Sequence, residues 1–437
     1  MLTWERLLSN WRCPYPDQPP GPSSPNAFRT DFESDYDRVV YSPPFRRLAR
    51  KTQVHPMAPN DHVHNRLTHS IEVASVGRSF GRRLANWLDE NKLMPPNRSG
   101  DDLVWTLMAS CAAHDIGNPP FGHAGESAIR EWAACHEDIV FPGGLEVRDA
   151  ARKDVLLFEG NAQGFRIAAR RDNATVGYLR LTYATLGAMV KYPWTSTDDR
   201  ASAQKKYNCF SCEREIFRDV FEHLGLVVDG EYVRHPLSLL SEAADDICYR
   251  VLDLEDAAEL RIIPEARVRG IYAQFLGGAP LASIPLSRLR GQVVQRLIDE
   301  SWNVFVGDYE RIMTGTRTED LKSSFDGDLK SALHEVKEVY NEIFADFSKV
   351  AIELGAFKAL GRILKALCNA TSQLARTNDS SNLKFVSKRC LDLAWPKDHV
   401  EKNADKSYEW WLHQVLDYVS GLTDNYARQI SREIEGT

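Results

Sequence analysis

Apolar side chains recur every three or four residues over most of the chain, which is the spacing of amphipathic helices. One such run, residues 73–88, follows Thr68, which we predict to be the N-cap of a long helix. A second run covers residues 103–112. His69 therefore lies in the first turn of one predicted helix, and the pair His114-Asp115 lies in the last turn of the next.

A third helix, predicted over residues 239–254, is apolar on most of its surface but carries a polar row. Asp245, Tyr249 and Asp253 stand at positions i, i+4 and i+8, so they share one face. Unpartnered carboxylates in an apolar core are energetically costly. We therefore expect this row to line a site.

The rest of the pattern is also dominated by helices. Residues 136–158 are predicted to be irregular and residues 194–206 to form a polar loop, whereas Asp229-Gly230 is predicted to be the turn of a short β-hairpin. Helical periodicity covers residues 35–50, 159–168, 179–190, 213–224, 267–313, 328–347, 348–370 and 407–432. The predicted fold class is mainly α with one small β-hairpin.

The N-terminal 34 residues differ in composition from the remainder. Six prolines lie between residues 14 and 25 with few apolar residues, which indicates an extended arm rather than core. Such an arm could wrap a neighbouring subunit or could be a tail without a role. We predict one elaborated domain over residues 35–437, with its core at about 35–260 and a C-terminal helical part at about 261–437.

Composition narrows the classes of protein. A net charge of −7 argues against a general nucleic-acid-binding protein, since phosphate binding requires excess Lys and Arg. No apolar run approaches the roughly 20 residues of a membrane span, and residues 1–6 lack the order of a signal peptide. We therefore expect a cytoplasmic protein without membrane contacts. The eight cysteines are scattered, and Cys209-x-x-Cys212 has no second pair at zinc-ribbon spacing, which favours loop anchoring over metal or redox use.

Candidate metal ligands stand in three short segments. His69, the pair His114-Asp115 and, much later in the chain, Asp245 supply two imidazoles and two carboxylates. This donor set suits a divalent transition ion better than calcium, which prefers oxygen ligands. The candidate cofactor is one divalent metal ion, with Mn, Mg, Co, Ni, Fe and Zn as the alternatives.

The order His69, His114-Asp115, Asp245 reproduces an H…HD…D signature, and the chain resembles the HD-domain phosphohydrolases. Within them it resembles the deoxyguanosinetriphosphate triphosphohydrolase-like branch over residues 35–256, and again at YVSGLTD over 418–424. The blocks that carry the resemblance are RRL at 46–48 with KTQV at 51–54, RLTHS at 66–70, HDIGNPPFGHAGE at 114–126, EGNAQ at 159–163, KYP at 191–193 and EAADDI at 242–247.

The resemblance implies an HD-domain helical bundle that hydrolyses a deoxynucleoside triphosphate (dNTP) to deoxynucleoside and inorganic triphosphate. The substrate would be dGTP or several dNTPs. It further implies that the metal, held by the four ligands above, activates water for attack on the α-phosphate. His123 would be the general acid that protonates the leaving 5′ oxygen, with Glu126 orienting it.

Substrate contacts are also expected. Arg66, Asn118, Lys191 and Tyr192 would face the phosphates, and Asp246 would join them only with a metal or lysine partner. The resemblance implies that Gln53 and Asp253 hold the 3′ hydroxyl and that Tyr249 packs where a 2′ hydroxyl would stand. For Asn161 and Gln163 we expect supporting or capping roles, and for His62 and His64 an exposed loop rather than a second metal site.

Two other functions are weighed against this one. The chain could be another HD phosphohydrolase, such as a nucleotidase or an alarmone hydrolase, although the set Gln53, Tyr249 and Asp253 argues against it. It could also be a nucleotide-sensing or single-stranded-DNA-binding protein, although retention of every ligand together with His123 argues for turnover. The family also suggests a homo-oligomer, often a hexamer, and allosteric dNTP or single-stranded DNA as further ligands.

Overall fold

Helices make up most of the structure, a computed structural model that describes residues 1–12, 20–22, 28–53, 63–169, 179–278 and 284–436. In the first part of these ranges the α-helices are α1 Trp4–Leu7, α2 Asp31–Val40, α3 Pro43–Arg47, α4 Arg66–Glu90, α5 Gly100–Ala113, α6 Gly122–Cys135, α7 Glu137–Val140, α8 Asp149–Leu156, α9 Gly160–Ala169, α10 Tyr183–Met189, α11 Asp199–Gln204 and α12 Arg214–Leu224. The following helices are α13 Pro236–Glu259, α14 Glu265–Phe275, α15 Leu286–Gly307, α16 Tyr309–Met313, α17 Gly327–Phe344, α18 Phe347–Thr377, α19 Phe385–Ala394, α20 Lys397–Lys402, α21 Tyr408–Gly421 and α22 Asp424–Glu435. The predicted mainly α class is confirmed.

Two short antiparallel ladders accompany the helices. Strands β3 (Val227–Val228) and β4 (Glu231–Tyr232) form the predicted hairpin. Asp229 and Gly230 both have positive φ, 51° and 83°, as the central residues of a type I′ turn require. The second ladder, which was not predicted, pairs β1 (Trp11–Arg12) with β2 (Gly21–Pro22).

Helices α4, α5 and α13 pack on one another and carry the candidate ligands. The close approach of α4 and α5 depends on two glycines. A Cβ at Gly77 would lie 2.6 Å from Cys111 Sγ, and one at Gly81 would lie 2.8 Å from Val104 Cα. Small residues at these positions therefore bring the segments that bear His69 and His114 together.

The buried apolar residues form two clusters. The first is built mainly from α4, α5, α10 and α12–α17, and the second from α6, α8, α18, α21 and α22. Residues 114–121, which we call the site turn, connect α5 to α6. Ile116 of the site turn belongs to the first cluster and Phe121 to the second, so this turn is anchored on both sides.

Several local predictions need correction. The N-cap of α4 is Asn65, whose Oδ1 accepts from Leu67 N and Thr68 N, whereas Thr68 is the N3 partner of a capping box. The helix therefore begins one turn earlier than predicted, with His69 still near its start. The predicted helix over residues 35–50 is divided into α2, α3 and a 3₁₀ turn, because Ser42 caps a new helix that begins at Pro43-Pro44.

Short helices also occupy segments predicted to be irregular. Helices α7 and α8 lie within residues 136–158, and α11 lies in the predicted loop 194–206, where the Asp198 side chain accepts from Arg200 N as an N-cap. Helices α19 and α20 were not predicted. Helices α7, α8, α19 and α20 begin without a side-chain N-cap, and helices of this length contain too few turns for apolar periodicity to report them.

Some predictions fall on residues beyond the described ranges. The prolines at 14, 16, 19 and 25 and His62 lie outside the described residues, so an extended proline-rich segment stays a prediction, as does the division near residue 260. The residues before that segment are not an arm outside the core, because Leu2, Trp4, Leu7 and Leu8 are buried in the first cluster. Of the described helices, none combines the length and the apolar character that crossing a membrane would need.

Candidate active site

Two imidazoles and two carboxylates from three helical segments meet at one point. His69 Nε2 lies 3.0 Å from Asp245 Oδ1, and His114 Nε2 lies 3.5 Å both from that atom and from Asp115 Oδ2. Ligand atoms of His69, His114 and Asp115 are all within 4.8 Å of one another. The structure therefore brings together all four residues predicted to bind the metal.

The tautomer of His114 is fixed by its own helix. Its Nδ1 lies 2.6 Å from the carbonyl oxygen of Cys111, and because a carbonyl only accepts, Nδ1 carries the proton. In the neutral ring the Nε2 lone pair then points at the carboxylates of Asp115 and Asp245. Two electron-rich groups facing each other are an arrangement that a cation satisfies, and a backbone bond to the other ring nitrogen is typical of histidine metal ligands.

Positive side chains keep the two carboxylates ionised. Burial is the largest effect on the pKa of the Asp115 carboxyl and would raise it, but Arg66, with Nη1 at 2.6 Å from Oδ2, acts together with His114 and His69 to hold that pKa at about 2. Burial likewise opposes ionisation of Asp245, yet Lys191, with Nζ at 2.9 Å, together with the two histidines holds its pKa well below the usual range. The donor set is therefore two imidazoles and two charged carboxylates, which fits a divalent transition ion.

The site turn is pressed against α9. A Cβ at Gly117 would lie 2.1 Å from Gly164 N and 2.2 Å from Gly160 O, so only glycine fits there. Asn118, the next residue, donates from Nδ2 to Asp115 Oδ1. Asn118 thus orients a proposed ligand directly.

His123 and Glu126 form a hydrogen-bonded pair in the first turns of α6. His123 Nδ1 lies 3.0 Å from Glu126 Oε2, while Oε1 of the same carboxylate accepts from Gly160 N at 2.8 Å. The His123 side chain is 77% exposed and that of Glu126 only 3%. Burial would raise the pKa of Glu126, but hydrogen bonding to His123 and the nearby Lys206 hold it at about 2. A fixed buried carboxylate therefore orients an accessible imidazole.

Gly160 connects this pair to the proposed metal ligands. A Cβ there would lie 2.2 Å from Asn118 Oδ1 and 2.9 Å from Glu126 Oε1. The side chain that orients Asp115 and the one that orients His123 therefore converge on the same glycine. Lys206 Nζ lies 2.8 Å from Glu159 Oε1 and 3.9 Å from Glu126 Oε2. This residue was not predicted to belong to the site, because it stands in the segment predicted to be a loop.

Tyr249 and Asp253 are supported by a tyrosine from α17. The ring of Tyr340 stacks on that of Tyr249 with centroids 4.9 Å apart, and its hydroxyl lies 3.0 Å from Asp253 Oδ2. Burial raises the pKa of the Asp253 carboxyl to about 7. Tyr340 was missed, since its position on the apolar face of a helix is equally typical of a core residue.

Gln53, Tyr192 and Asp246 were also expected to contact the substrate. Gln53 Oε1 is buried and has no hydrogen-bond partner among the described residues. Tyr192 donates its backbone N–H to Asn208 Oδ1 at 2.8 Å. Asp246 has the lysine partner that its predicted role required, with Lys322 Nζ at 2.6 Å, and it also pairs with Arg250.

His64 does not lie in an exposed loop as predicted. Its side chain is 17% exposed and lies between Asp256, at 2.8 Å, and Glu72, at 3.3 Å. Hydrogen bonds to these two carboxylates raise the pKa of His64 to about 10. The residue therefore joins α4 to α13 as an ion pair.

A second convergence of histidine, aspartate and cysteine lies away from these residues. Ligand atoms of Asp154, Cys212 and His413 lie within 4.8 Å of one another. The Asp154 carboxylate already accepts from the hydroxyls of Ser196 and Ser211, from Ser211 N and from His413 Nε2. Because these donors use its lone pairs, we assign this cluster a structural role.

Relatives of this chain span its full length. It is 38% identical over 458 aligned residues to a deoxyguanosinetriphosphate triphosphohydrolase-like protein of Pseudomonas aeruginosa (strain UCBPP-PA14), covering 100% of this chain and 99% of that protein. A protein of the same description from Synechocystis sp. is 35% identical over 436 residues, 93% of this chain and 94% of that one. The deoxyguanosinetriphosphate triphosphohydrolase of Enterobacter sp. (strain 638) is 29% identical over 498 residues, 96% of each chain. No family model matches the sequence.

Proposed function

Because the chain belongs to the deoxyguanosinetriphosphate triphosphohydrolase-like family of hydrolases, we propose that it converts dNTPs to deoxynucleoside and inorganic triphosphate at the convergence of His69, His114, Asp115 and Asp245. The observation that carries this proposal is that convergence itself, with the His114 lone pair directed at two ionised carboxylates. A divalent ion held there would supply Lewis acidity, which activates water and neutralises charge on the α-phosphate.

Arg66 and Lys191 are proposed to bind phosphate oxygens. Each contacts one carboxylate of the site, at 2.6 and 2.9 Å, and Arg66 Nε is buried without an acceptor among the described residues. A buried N–H without a partner costs free energy that a phosphate oxygen would recover. Asn118 and Tyr192 are proposed to bind phosphate next to these two cations. Asn118 also donates to Asp115, the carboxylate that Arg66 contacts.

His123 is proposed to protonate the leaving 5′ oxygen. Its Nδ1 is held by Glu126, so Nε2 is directed away from that buried carboxylate. An alkoxide leaving group is strongly basic, and a positioned acid lowers the barrier to its departure. The exposure of the imidazole lets it be reprotonated from solvent after each turnover.

The sugar is proposed to lie against Tyr249, with its 3′ hydroxyl between Gln53 and Asp253. Gln53 Oε1, which has no partner in the part of the chain that the structure describes, supplies an acceptor. Tyr249 is held flat against Tyr340, so it cannot retreat to admit a 2′ hydroxyl. Steric exclusion together with an unsatisfied hydroxyl is the mechanism of discrimination that this arrangement supports.

Substituting Tyr249→Ala is expected to relax this discrimination. Removing the ring leaves room for a 2′ hydroxyl, so the ratio of kcat/KM for dGTP to that for GTP should fall roughly ten- to a hundred-fold. Tyr249→Phe keeps the ring and its stacking and serves as the matched control, with a ratio near that of wild type. Equal ratios in wild type and Tyr249→Ala would contradict the sugar role.

The function itself is tested by identifying the products. Each dNTP is incubated with the protein and each of Mn, Mg, Co, Ni, Fe and Zn in ¹⁸O-labelled water. We expect deoxynucleoside and triphosphate in equal amounts, with ¹⁸O in the triphosphate, because water attacks phosphorus and the C5′–O bond stays intact. Release of pyrophosphate or orthophosphate would favour a nucleotidase or alarmone hydrolase instead.

A binding function gives a different result. Tight dNTP or single-stranded-DNA binding, with hydrolysis too slow to lower a dNTP pool, would favour a sensor. The homo-oligomer that the family suggests, often a hexamer, stays a prediction. The same holds for an allosteric dNTP or single-stranded-DNA ligand.

A further inference from the structure

The last two helices, α21 and α22, contact the candidate active site through the carboxylate of Asp424. Asp424 is the first residue of α22 and is 3% exposed. Its Oδ1 accepts from Phe121 N at 2.9 Å, and its Oδ2 accepts from Thr52 N at 2.9 Å and from the Thr52 hydroxyl. Phe121 and Thr52 are 303 and 372 residues from Asp424 in the chain, so one side chain joins three distant segments.

Phe121 needs such an anchor because its backbone is strained. Its φ is 64°, in the left-handed region that non-glycine residues avoid, and it is the N-cap of α6. Its own side chain is a hydrocarbon ring that cannot cap the helix. Asp424 instead accepts from the N–H of Phe121 itself, which holds this strained residue at the point where α6 leaves the site turn with His123 in its first turn.

Thr52 leads directly to a residue of the proposed sugar contact. It forms a β-bridge with Asn65, the N-cap of α4, and precedes Gln53. Neighbouring Lys51 connects the same three segments, since its Nζ donates to Asn118 O and Ser420 O at 2.6 Å each. The segment that bears Gln53 is therefore fixed to the site turn and to the junction of α21 with α22.

We propose that Asp424 is a positioning residue of the hydrolysis. By binding Thr52 and Phe121 with one carboxylate, it fixes the positions of Gln53 and His123 relative to each other. This role rests on the proposed function. Asp424 acts through its two partners rather than on the substrate. A carboxylate suits the task because all of its lone pairs accept, so it can serve two N–H groups and a hydroxyl at once.

The main test is Asp424→Asn. The amide is nearly isosteric but replaces one acceptor oxygen with an NH₂ donor, so it cannot serve both partners. We expect kcat/KM for a dNTP to fall roughly ten- to a hundred-fold, the range for displaced positioning groups, with metal content unchanged. Part of the loss should be a higher KM. For a 2′,3′-dideoxynucleoside triphosphate, which lacks the hydroxyl assigned to Gln53, the rise in KM should be smaller.

A second pair of variants keeps the test independent of whether Asp424→Asn folds. Thr52→Val removes one of the three bonds without changing shape, and Thr52→Ser retains it. We expect a raised KM in Thr52→Val and a KM near that of wild type in Thr52→Ser. In Asp424→Asn, hydrogen exchange should also become faster at the amides of Thr52 or Phe121.

The outcomes separate this role from the function it serves. Wild-type protein that releases no triphosphate from any dNTP overturns both. An active wild type whose Asp424→Asn and Thr52→Val variants keep its KM, kcat and amide protection overturns the positioning role alone. An equal rise in KM for the dNTP and for its dideoxy analogue also counts against positioning of Gln53 by Asp424, because general destabilisation would affect both substrates alike.

Discussion

His114→Ala is expected to lose both metal binding and hydrolysis. The substitution removes the imidazole whose Nε2 lies 3.5 Å from both Asp115 Oδ2 and Asp245 Oδ1. Loss of residues that merely orient a ligand costs about 10- to 100-fold in metal affinity or activity, so loss of a ligand itself should cost at least the upper value. Because of this loss in affinity, we expect less than about one metal ion per ten chains to remain after dialysis. Turnover should fall to the background rate.

The control for this variant is His334→Ala. His334 is exposed on α17 and has no proposed role, so metal content and rate should match those of wild type. Circular dichroism should show that His114→Ala is folded, since the ring has one bond to the backbone, from Nδ1 to the Cys111 carbonyl, and its Nε2 contacts are with proposed ligands. Full activity of His114→Ala without metal would refute the proposed centre.

His123→Ala is expected to retain the metal and lose turnover. The residue is in α6, its side chain is 77% exposed, and its hydrogen-bond partner is Glu126 rather than a proposed ligand. Removing a general acid typically costs about 10²- to 10⁴-fold in rate. The loss should appear in kcat, because protonation of the leaving group stabilises the transition state rather than the bound substrate.

A substrate analogue separates acid catalysis from other effects of His123. In a 5′-thio-dNTP the leaving atom is sulfur, and a thiol has a pKa of about 8.5, so a thiolate departs without a proton. The loss in His123→Ala should therefore be much smaller on the thio analogue than on the dNTP. Glu126→Gln should show the same pattern with a smaller loss. Equal losses on both substrates would remove His123 as the acid.

The candidate ligands could be identified from sequence because each occupies a position that local sequence patterns report, either a helix end or a polar position on an apolar helix. His69 lies near the start of a helix and His114-Asp115 at the end of another, and apolar periodicity with capping residues reports both positions. Asp245 was visible as a polar residue on an apolar helix that must bury its surface. These are short-range signals, and the mainly α class follows from the same signals.

Roles that depend on contacts between distant segments were less accessible. The sequence suggested phosphate contacts for Arg66 and Lys191, but the structure shows each paired with a carboxylate of the site. Tyr340 reaches Asp253 across 87 residues, and nothing near Tyr340 in the sequence distinguishes it from a core aromatic residue. A partner's identity depends on how helices pack, which local periodicity does not specify.

The sequence by itself therefore indicated the long helices, their apolar faces and the four candidate donors. Only the tertiary structure decided which charges neutralise those donors, that Glu126, expected beside His123, is buried against Gly160, and that Asp424 holds the site turn to the segment of Gln53. The physical reason is range. A helix and its cap are stabilised by residues within a few positions, whereas a buried carboxylate is satisfied by whichever donors the folded chain brings to it.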